Sequence, residues 1–156
     1  MTEFWRSLKK WFMGWLNGVP HYVVGDPSRP YILRWYLLPR NQVACLYLHK
    51  FLHSDDDRAL HTHPWAYASL LLRGRYVEVT SGNRRIEYRA GNMLLRGLGH
   101  AHRIELPDGK PCWTLFLTGP RRQEWGFLCP KGFVHWKDFT APGKSGETGR
   151  GCGEMS

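Results

Sequence analysis

The chain has 156 residues, of which 42% are hydrophobic, so its length and composition suit one domain around a single core. No apolar run is long enough to span a bilayer, which excludes a transmembrane helix. The formal net charge of +9 favours anionic partners, such as nucleic acid, anionic lipid or a substrate that carries phosphate or carboxylate. The arginines are scattered singly or in pairs, however, so a solvated basic surface is a simpler interpretation than nucleic-acid binding.

An amphipathic helix is predicted over residues 2–17, because apolar side chains recur along one face at helical spacing. These side chains are Phe4, Trp5, Leu8, Trp11, Phe12, Trp15 and Leu16. Asn17 and Gly18, followed by Pro20, end the helix. We assign residues 1–18 to this element and expect it to pack on the outside of the domain or in a dimer contact. Contact with a membrane surface is an alternative, because Trp-rich basic helices bind there.

An all-β domain is predicted over residues 19–140, because short apolar runs alternate with turns rich in glycine, proline and asparagine. The predicted strands are 31–38, 43–53, 59–72, 75–80, 84–89, 93–96, 101–106, 112–118 and 123–128. Residues 133–139 are expected to form a last strand or a short helix. Strands this short indicate a sandwich or barrel rather than a parallel α/β sheet. Residues 141–156 have little to bury, so we expect a disordered tail.

The four cysteines are predicted to be free thiols. Cys45, Cys112, Cys129 and Cys152 include no pair separated by two residues, and no secretory signal precedes them. This usage is typical of a protein of the reducing cytoplasm, and we expect that location.

Two histidines separated by one residue are the strongest chemical signal in the chain. His61 and His63 point to the same side if their segment is a β-strand, so their imidazoles can close on one metal ion. His102 could supply a third ligand if its strand lies beside the first. The acidic segment 54–57 lacks the ligand spacing of a calcium loop and is interpreted as a surface turn.

The spacing around these histidines resembles that of the cupins, a family of double-stranded β-helix (jelly-roll) proteins. In the first cupin motif two histidines separated by one residue precede a strand and a glycine, as His61 and His63 precede Gly74. In the second motif two spaced glycines precede a histidine, as Gly91 and Gly99 precede His102 here. This spacing selects His102 rather than His100 as the ligand. The resemblance covers about residues 31–120 and implies a small single-domain cupin.

The chain departs from the cupin motifs at three positions. The glutamate of the first motif falls at Tyr67 or Ala68, and neither residue is a carboxylate. In the second motif Gly97 replaces the proline, and Leu106 stands at the asparagine position. The lost glutamate leaves a three-histidine site similar to that of the thiol dioxygenases among the cupins. The resemblance therefore implies a divalent metal, Fe(II) before Zn, Mn or Ni.

Pocket residues follow from the barrel prediction. Trp65 and Tyr67 lie on the same face of the predicted strand as His61 and His63, because side chains alternate along a strand. Both are expected to line the interior and contact substrate. Arg34 and Tyr36 share one face of an early strand, and Arg34 could pair with a substrate carboxylate or phosphate. Arg96, just before the metal-bearing bend, is a second candidate for substrate binding.

Three side chains are candidates for proton transfer: Tyr36, Tyr47 and His49. Tyr47 and His49 share one face of the strand 43–53. Both faces of that strand are largely apolar, so its pattern leaves open which face is inward.

Three functions remain open from the sequence. The first is an Fe(II) oxygenase that acts on a small polar or anionic substrate. The second is a cupin isomerase, epimerase or lyase that uses another metal as a Lewis acid. The third is a non-catalytic cupin that binds a small ligand. A homodimer is expected by resemblance alone.

Overall fold

The computed structural model describes residues 3–55, 59–141 and 147–153. Helix α1 spans Glu3–Leu16 and precedes a domain of antiparallel strands. The strands are β1 Tyr22–Asp26, β2 Arg29–Tyr36, β3 Cys45–Phe51, β4 Leu60–His61, β5 Tyr67–Arg73, β6 Arg75–Thr80, β7 Arg84–Arg89, β8 Met93–Arg96, β9 His102–Glu105, β10 Cys112–Thr118, β11 Gly126–Cys129 and β12 Gly132–His135. A 3₁₀ turn covers Ser81–Asn83, and a short helix, α2, spans Trp136–Phe139.

Within the described residues, the strands form two six-stranded antiparallel sheets. The first sheet has the order β1-β2-β3-β10-β5-β8, and the second has the order β12-β11-β4-β9-β6-β7. Buried side chains of the two sheets pack against each other, as Leu71 of β5 does with Tyr76 of β6 and Ile104 of β9 in one core cluster. The prediction of an all-β domain with an N-terminal amphipathic helix is confirmed.

Strand β3 shows which of its two apolar faces is inward. Cys45, Tyr47, His49 and Phe51 are all buried, whereas the residues between them are only partly buried. His49 is the most buried of the four at 2% exposure. Tyr47 and His49 therefore face the barrel interior.

The segment that carries the two spaced histidines is not one strand. The predicted strand 59–72 divides into β4, which lies in the second sheet, and β5, which lies in the first. Pro64 lies in the break, and its missing N–H prevents a continuous ladder there. The prediction of a single strand is therefore wrong, and His63 lies in the segment that crosses between the sheets.

Helix α1 attaches to the domain through its tryptophans. The indole N–H groups of Trp11 and Trp15 both donate to the carbonyl oxygen of Tyr36, at 2.6 and 2.8 Å. Trp5, Phe12 and Leu16 are mostly exposed. The helix thus packs on the outside of the domain, while the alternatives of a dimer contact and a membrane-surface contact stay predictions. Of the helices in the described ranges, none is both long and apolar enough to cross a membrane.

The C-terminal segment differs from the predicted disordered tail. Cys129 and Cys152 form a disulfide, so the prediction of four free thiols is wrong for this pair; Cys45 and Cys112 are free and buried. The backbone N–H of Gly151 donates a hydrogen bond of 2.9 Å to the carbonyl oxygen of Phe139. Thr148 forms a β-bridge with Thr140. The remaining positions of the predicted tail, 142–146 and 154–156, lie outside the described residues.

Removing this disulfide is expected to lower stability. The bond joins residues that are 23 positions apart, and a loop of that length corresponds to about 3 kcal/mol of restricted unfolded-state entropy. We expect the free energy of unfolding of the Cys152→Ser variant to be lower by about that amount. The variant should therefore unfold at a lower urea concentration. Thiol titration of the unfolded protein should give two reactive thiols without reductant and four with it. Four thiols without reductant would contradict the pairing and agree with the predicted cytoplasmic location, which remains untested.

Candidate metal centre

Three histidines meet at the central strands β4 and β9 of the second sheet. His61 of β4 is the cross-strand partner of His102 of β9, and His63 follows in the crossing segment. The Nε2 atoms of His63 and His102 lie 3.0 Å apart, and one ring nitrogen from each of the three histidines lies within 4.8 Å of the others. The structure therefore brings together the three side chains that the motif spacing predicts as ligands.

The distance between His63 and His102 fits a single divalent ion. Two nitrogens bound to one ion at about 2.1 Å lie about 3.0 to 3.4 Å apart in octahedral or tetrahedral geometry. The separation of His63 Nε2 from His102 Nε2 falls in this range. Imidazole nitrogens suit zinc, iron, nickel or copper better than magnesium or calcium. The three side chains could thus hold a divalent transition metal.

The protonation states also favour metal binding. Burial is the main cause that lowers the pKa of His61 and His63 well below the ordinary value, and the neighbouring imidazoles lower it further. Burial also lowers the pKa of His102, although Glu78 opposes this shift. The rings are therefore neutral near pH 7, and a neutral imidazole has the lone pair that a metal needs.

Glu78 orients the third ligand. It lies on β6, is 1% exposed, and accepts a hydrogen bond of 2.7 Å from His102 Nδ1. Since Nδ1 carries the proton, Nε2 of His102 presents its lone pair toward His63. Burial alone would raise the pKa of Glu78, but hydrogen bonds from His102, Arg96 and His100 outweigh it and hold the pKa below its usual range.

Glu78 was not among the site residues predicted from the sequence. The usable signal was a single carboxylate between two valines of strand β6, Val77 and Val79. Its partners come from β8, from the segment before β9 and from β9 itself, so only the folded chain brings them together. Glu78 does not replace the missing motif glutamate as a metal ligand. Its carboxylate contacts Nδ1 of His102, whereas the candidate ion would bind Nε2.

Arg96 forms an ion pair with the Glu78 carboxylate. Its Nη2 lies 2.5 Å from Glu78 Oε2, and its Nε lies 3.1 Å from His100 Nε2. Glu78, His100 and His102 also stand at distances that could bind a cation. The guanidinium already neutralises that carboxylate, so the three-histidine set is the better metal site. Arg96, predicted to bind substrate, is placed by these contacts in an internal ion pair.

Tyr67 borders the three histidines. Its hydroxyl lies 3.3 Å from His102 Nε2, and its ring centroid is 4.8 Å from that of His63. Burial raises the pKa of this phenol, so it remains protonated and can donate a hydrogen bond. The residue at the missing-glutamate position is therefore a neutral donor beside the candidate ion.

Asp55 supports His61 from the acidic segment. Its Oδ2 lies 3.6 Å from His61 Nδ1 and accepts a hydrogen bond from the backbone N–H of Ile104. Its side chain is 7% exposed, so the interpretation of this segment as a surface turn is wrong for Asp55. Asp56 and Asp57 lie outside the described residues.

The remaining candidates form a second group in the interior. Arg34 Nε donates to His49 Nε2 at 2.8 Å, and the guanidinium lies 4.6 Å from the ring centroid of Tyr47. Tyr36 packs against Tyr47, with ring centroids 5.3 Å apart. Trp65 also packs against this aromatic cluster. In the part of the chain that the structure describes, these side chains form no hydrogen bond with the three histidines, so their predicted roles in proton transfer or substrate binding stay predictions.

Comparison with known proteins identifies the fold. No protein-family model and no curated protein sequence matches the chain. A Klebsiella pneumoniae protein with a double-stranded β-helix domain aligns with a TM-score of 0.51 and 16% identity, over 65% of this chain and 88% of its own. An RmlC-like cupin from Ralstonia eutropha aligns with a TM-score of 0.55 and 12% identity, over 75% of this chain and 72% of its own.

A third similar structure is an enzyme. The polyketide cyclase RemF from Streptomyces resistomycificus aligns with a TM-score of 0.53 and 18% identity, over 61% of this chain and 69% of its own. At such low identities the likeness carries information about architecture and not about activity. Taken with the two sheets and their order, the comparisons show that this chain has the cupin double-stranded β-helix fold.

Proposed function

We propose that this protein is a metal-dependent cupin enzyme, with Fe(II) as the metal and oxygenation of a small polar or anionic molecule as the reaction. The observation that carries the proposal is the set of three neutral imidazoles in which Nε2 of His63 and of His102 converge to 3.0 Å. Bound there, Fe(II) would supply open coordination positions for O₂ and substrate. A neutral ligand set also leaves the charge of the metal available to an anionic substrate group.

The protein's own residues have separable tasks around this centre. Glu78 holds His102 in the tautomer that exposes Nε2. The Tyr67 hydroxyl can donate a hydrogen bond to a substrate atom beside His102. The rings of Tyr67 and Phe116 stack with their centroids 4.7 Å apart and form an aromatic surface on this side of the site.

A reaction without redox chemistry is the second candidate. Three histidines with an open position are also a ligand set for zinc, which acts as a Lewis acid. The likeness in fold to a polyketide cyclase is consistent with an isomerase, lyase or cyclase of this kind. A non-catalytic cupin is the third candidate, supported by the aromatic side chains that fill the interior near His63.

Metal content and oxygen uptake test these candidates together. The protein is purified without oxygen, loaded with Fe(II), and supplied with small thiols and small carboxylic acids. We expect about one equivalent of iron per chain and oxygen uptake that depends on one of these compounds. Retained zinc without oxygen uptake would favour the second candidate, and bound metal without turnover would favour the third. Absence of metal binding would contradict all proposals that place a metal at this site.

A further inference from the structure

Helix α1 is held closely against the domain by one of its faces. Besides the two indole contacts with Tyr36, His21 Nε2 donates a hydrogen bond of 2.7 Å to the carbonyl oxygen of Trp11. His21 Nδ1 accepts a hydrogen bond of 3.2 Å from the backbone N–H of Tyr36. A Cβ atom at Gly14 would lie 2.8 Å from His21 Nε2, so a larger residue there would displace the ring. These contacts fix which side of α1 remains exposed.

The exposed side of α1 carries three apolar residues, which we call the outer strip. Trp5, Phe12 and Leu16 are 58%, 55% and 63% exposed. They lie within roughly 40° of one another around the helix axis, because each residue advances by about 100°. The same geometry places the strip roughly 100° away from the direction of Trp11 and Trp15. The domain therefore leaves the outer strip uncovered.

The hairpin tip, residues 37–44 between β2 and β3, adds a second exposed apolar element. Leu38 and Val43 are 53% and 73% exposed. Asn41 stabilises the tip, because its side-chain oxygen accepts hydrogen bonds of 2.9 Å from two backbone N–H groups. The tip begins directly after Tyr36, whose carbonyl oxygen accepts both indole hydrogen bonds of α1. The outer strip and the hairpin tip thus belong to the same part of the surface.

Cations accompany these apolar side chains. Arg6, Lys9 and Lys10 are exposed on α1, where Glu3 is the single acidic residue, and Arg40 is exposed at the hairpin tip. At a bilayer interface, Trp, Phe and Leu side chains enter the boundary of the acyl chains, while Lys and Arg meet anionic headgroups. A second copy of the chain is a poorer partner, because a two-fold contact would bring these cations against their own copies.

We propose that α1 and the hairpin tip bind the surface of an anionic lipid bilayer, with the outer strip at the boundary between headgroups and acyl chains. The 14 residues of α1 are too few to span a bilayer, so the helix lies along its surface. The proposal depends on exposed apolar side chains and on charge, and on no metal or substrate. It is therefore independent of the proposed function.

Sedimentation with lipid vesicles tests the proposal. Full-length protein is mixed with vesicles of phosphatidylcholine and phosphatidylglycerol in equal amounts, or of phosphatidylcholine alone, in about 0.1 M salt. We expect the anionic vesicles to bind at least about tenfold more tightly, and this difference to shrink as salt is added. Phe12→Ser should weaken binding at least about tenfold, because a large apolar side chain no longer enters the bilayer. Replacing Lys9 and Lys10 together by Gln should weaken binding to the anionic vesicles alone, also about tenfold.

A matched control changes an exposed apolar residue far from α1. Leu95 is 69% exposed on β8, at the opposite end of the first sheet from β1 and β2. Leu95→Gln should bind vesicles as the wild type does. Circular dichroism checks that each variant is folded, and Trp5→Ser replaces Phe12→Ser if the latter loses helical signal.

Several results would overturn the proposal. Wild-type protein that does not sediment with anionic vesicles would refute it, and equal affinity for both kinds of vesicle would refute the anionic surface. An equal loss in Leu95→Gln and Phe12→Ser would show that binding does not depend on α1. Light scattering that finds a dimer, which Phe12→Ser converts to a monomer, would assign the outer strip to a contact between two copies instead.

Discussion

We expect the His63→Ala variant to lose more than about 100-fold in affinity for a divalent transition metal. Residues that only orient a metal ligand already change affinity by about 10- to 100-fold, so a ligand itself should contribute more. Nε2 of His63 faces Nε2 of His102 at 3.0 Å, and its removal leaves two imidazoles for the ion. His61→Ala and His102→Ala should behave alike. Competition with a coloured zinc chelator measures the affinity.

The controls for this prediction separate the two clusters that could bind a cation. His53→Ala alters an exposed histidine outside both clusters and should leave metal affinity unchanged. His100→Ala removes a member of the Glu78 cluster only. If His100→Ala abolishes binding and His63→Ala does not, the ion belongs to Glu78, His100 and His102, and the three-histidine centre is refuted.

The Glu78→Ala variant is expected to lose about 3–5 kcal/mol of unfolding free energy. Removing one partner of a buried ion pair leaves the other charge uncompensated, and that is the magnitude of the loss. Here the exposed fraction is 1% for Glu78 and 19% for Arg96, and two histidines lose an acceptor as well. Urea denaturation of metal-free protein measures the change without any contribution from a bound ion.

Two variants serve as controls for the Glu78→Ala prediction. Glu87→Ala removes an exposed carboxylate of the adjacent strand β7, whose ion pairs with Arg75 and Arg89 should contribute no more than about 1 kcal/mol. Glu78→Gln keeps an acceptor for His102 Nδ1 but loses the charge, and should lower metal affinity by about 10- to 100-fold. A Glu78→Ala variant as stable as Glu87→Ala would show that the buried network is not stabilising.

The sequence was informative where chemistry depends on local spacing. His61 and His63 are two residues apart, and the glycine spacing that selects His102 is also readable along the chain. The three histidines could therefore be chosen without coordinates. The same reasoning failed at Pro64, where one predicted strand divides between the two sheets. Strand propensity extends across such a residue, whereas the backbone hydrogen-bond ladder does not.

By itself, the sequence determined the all-β class, the N-terminal helix and the identity of the three candidate ligands, because each depends on periodicity or on short spacing. Only the tertiary structure decided that Glu78 holds His102, that Arg34 meets His49 and that Cys129 reaches Cys152. Each of these contacts joins residues from separate segments, at separations of 24, 15 and 23 positions. No local pattern specifies such partners, because they are selected by strand order and register, which follow from burial of the whole core.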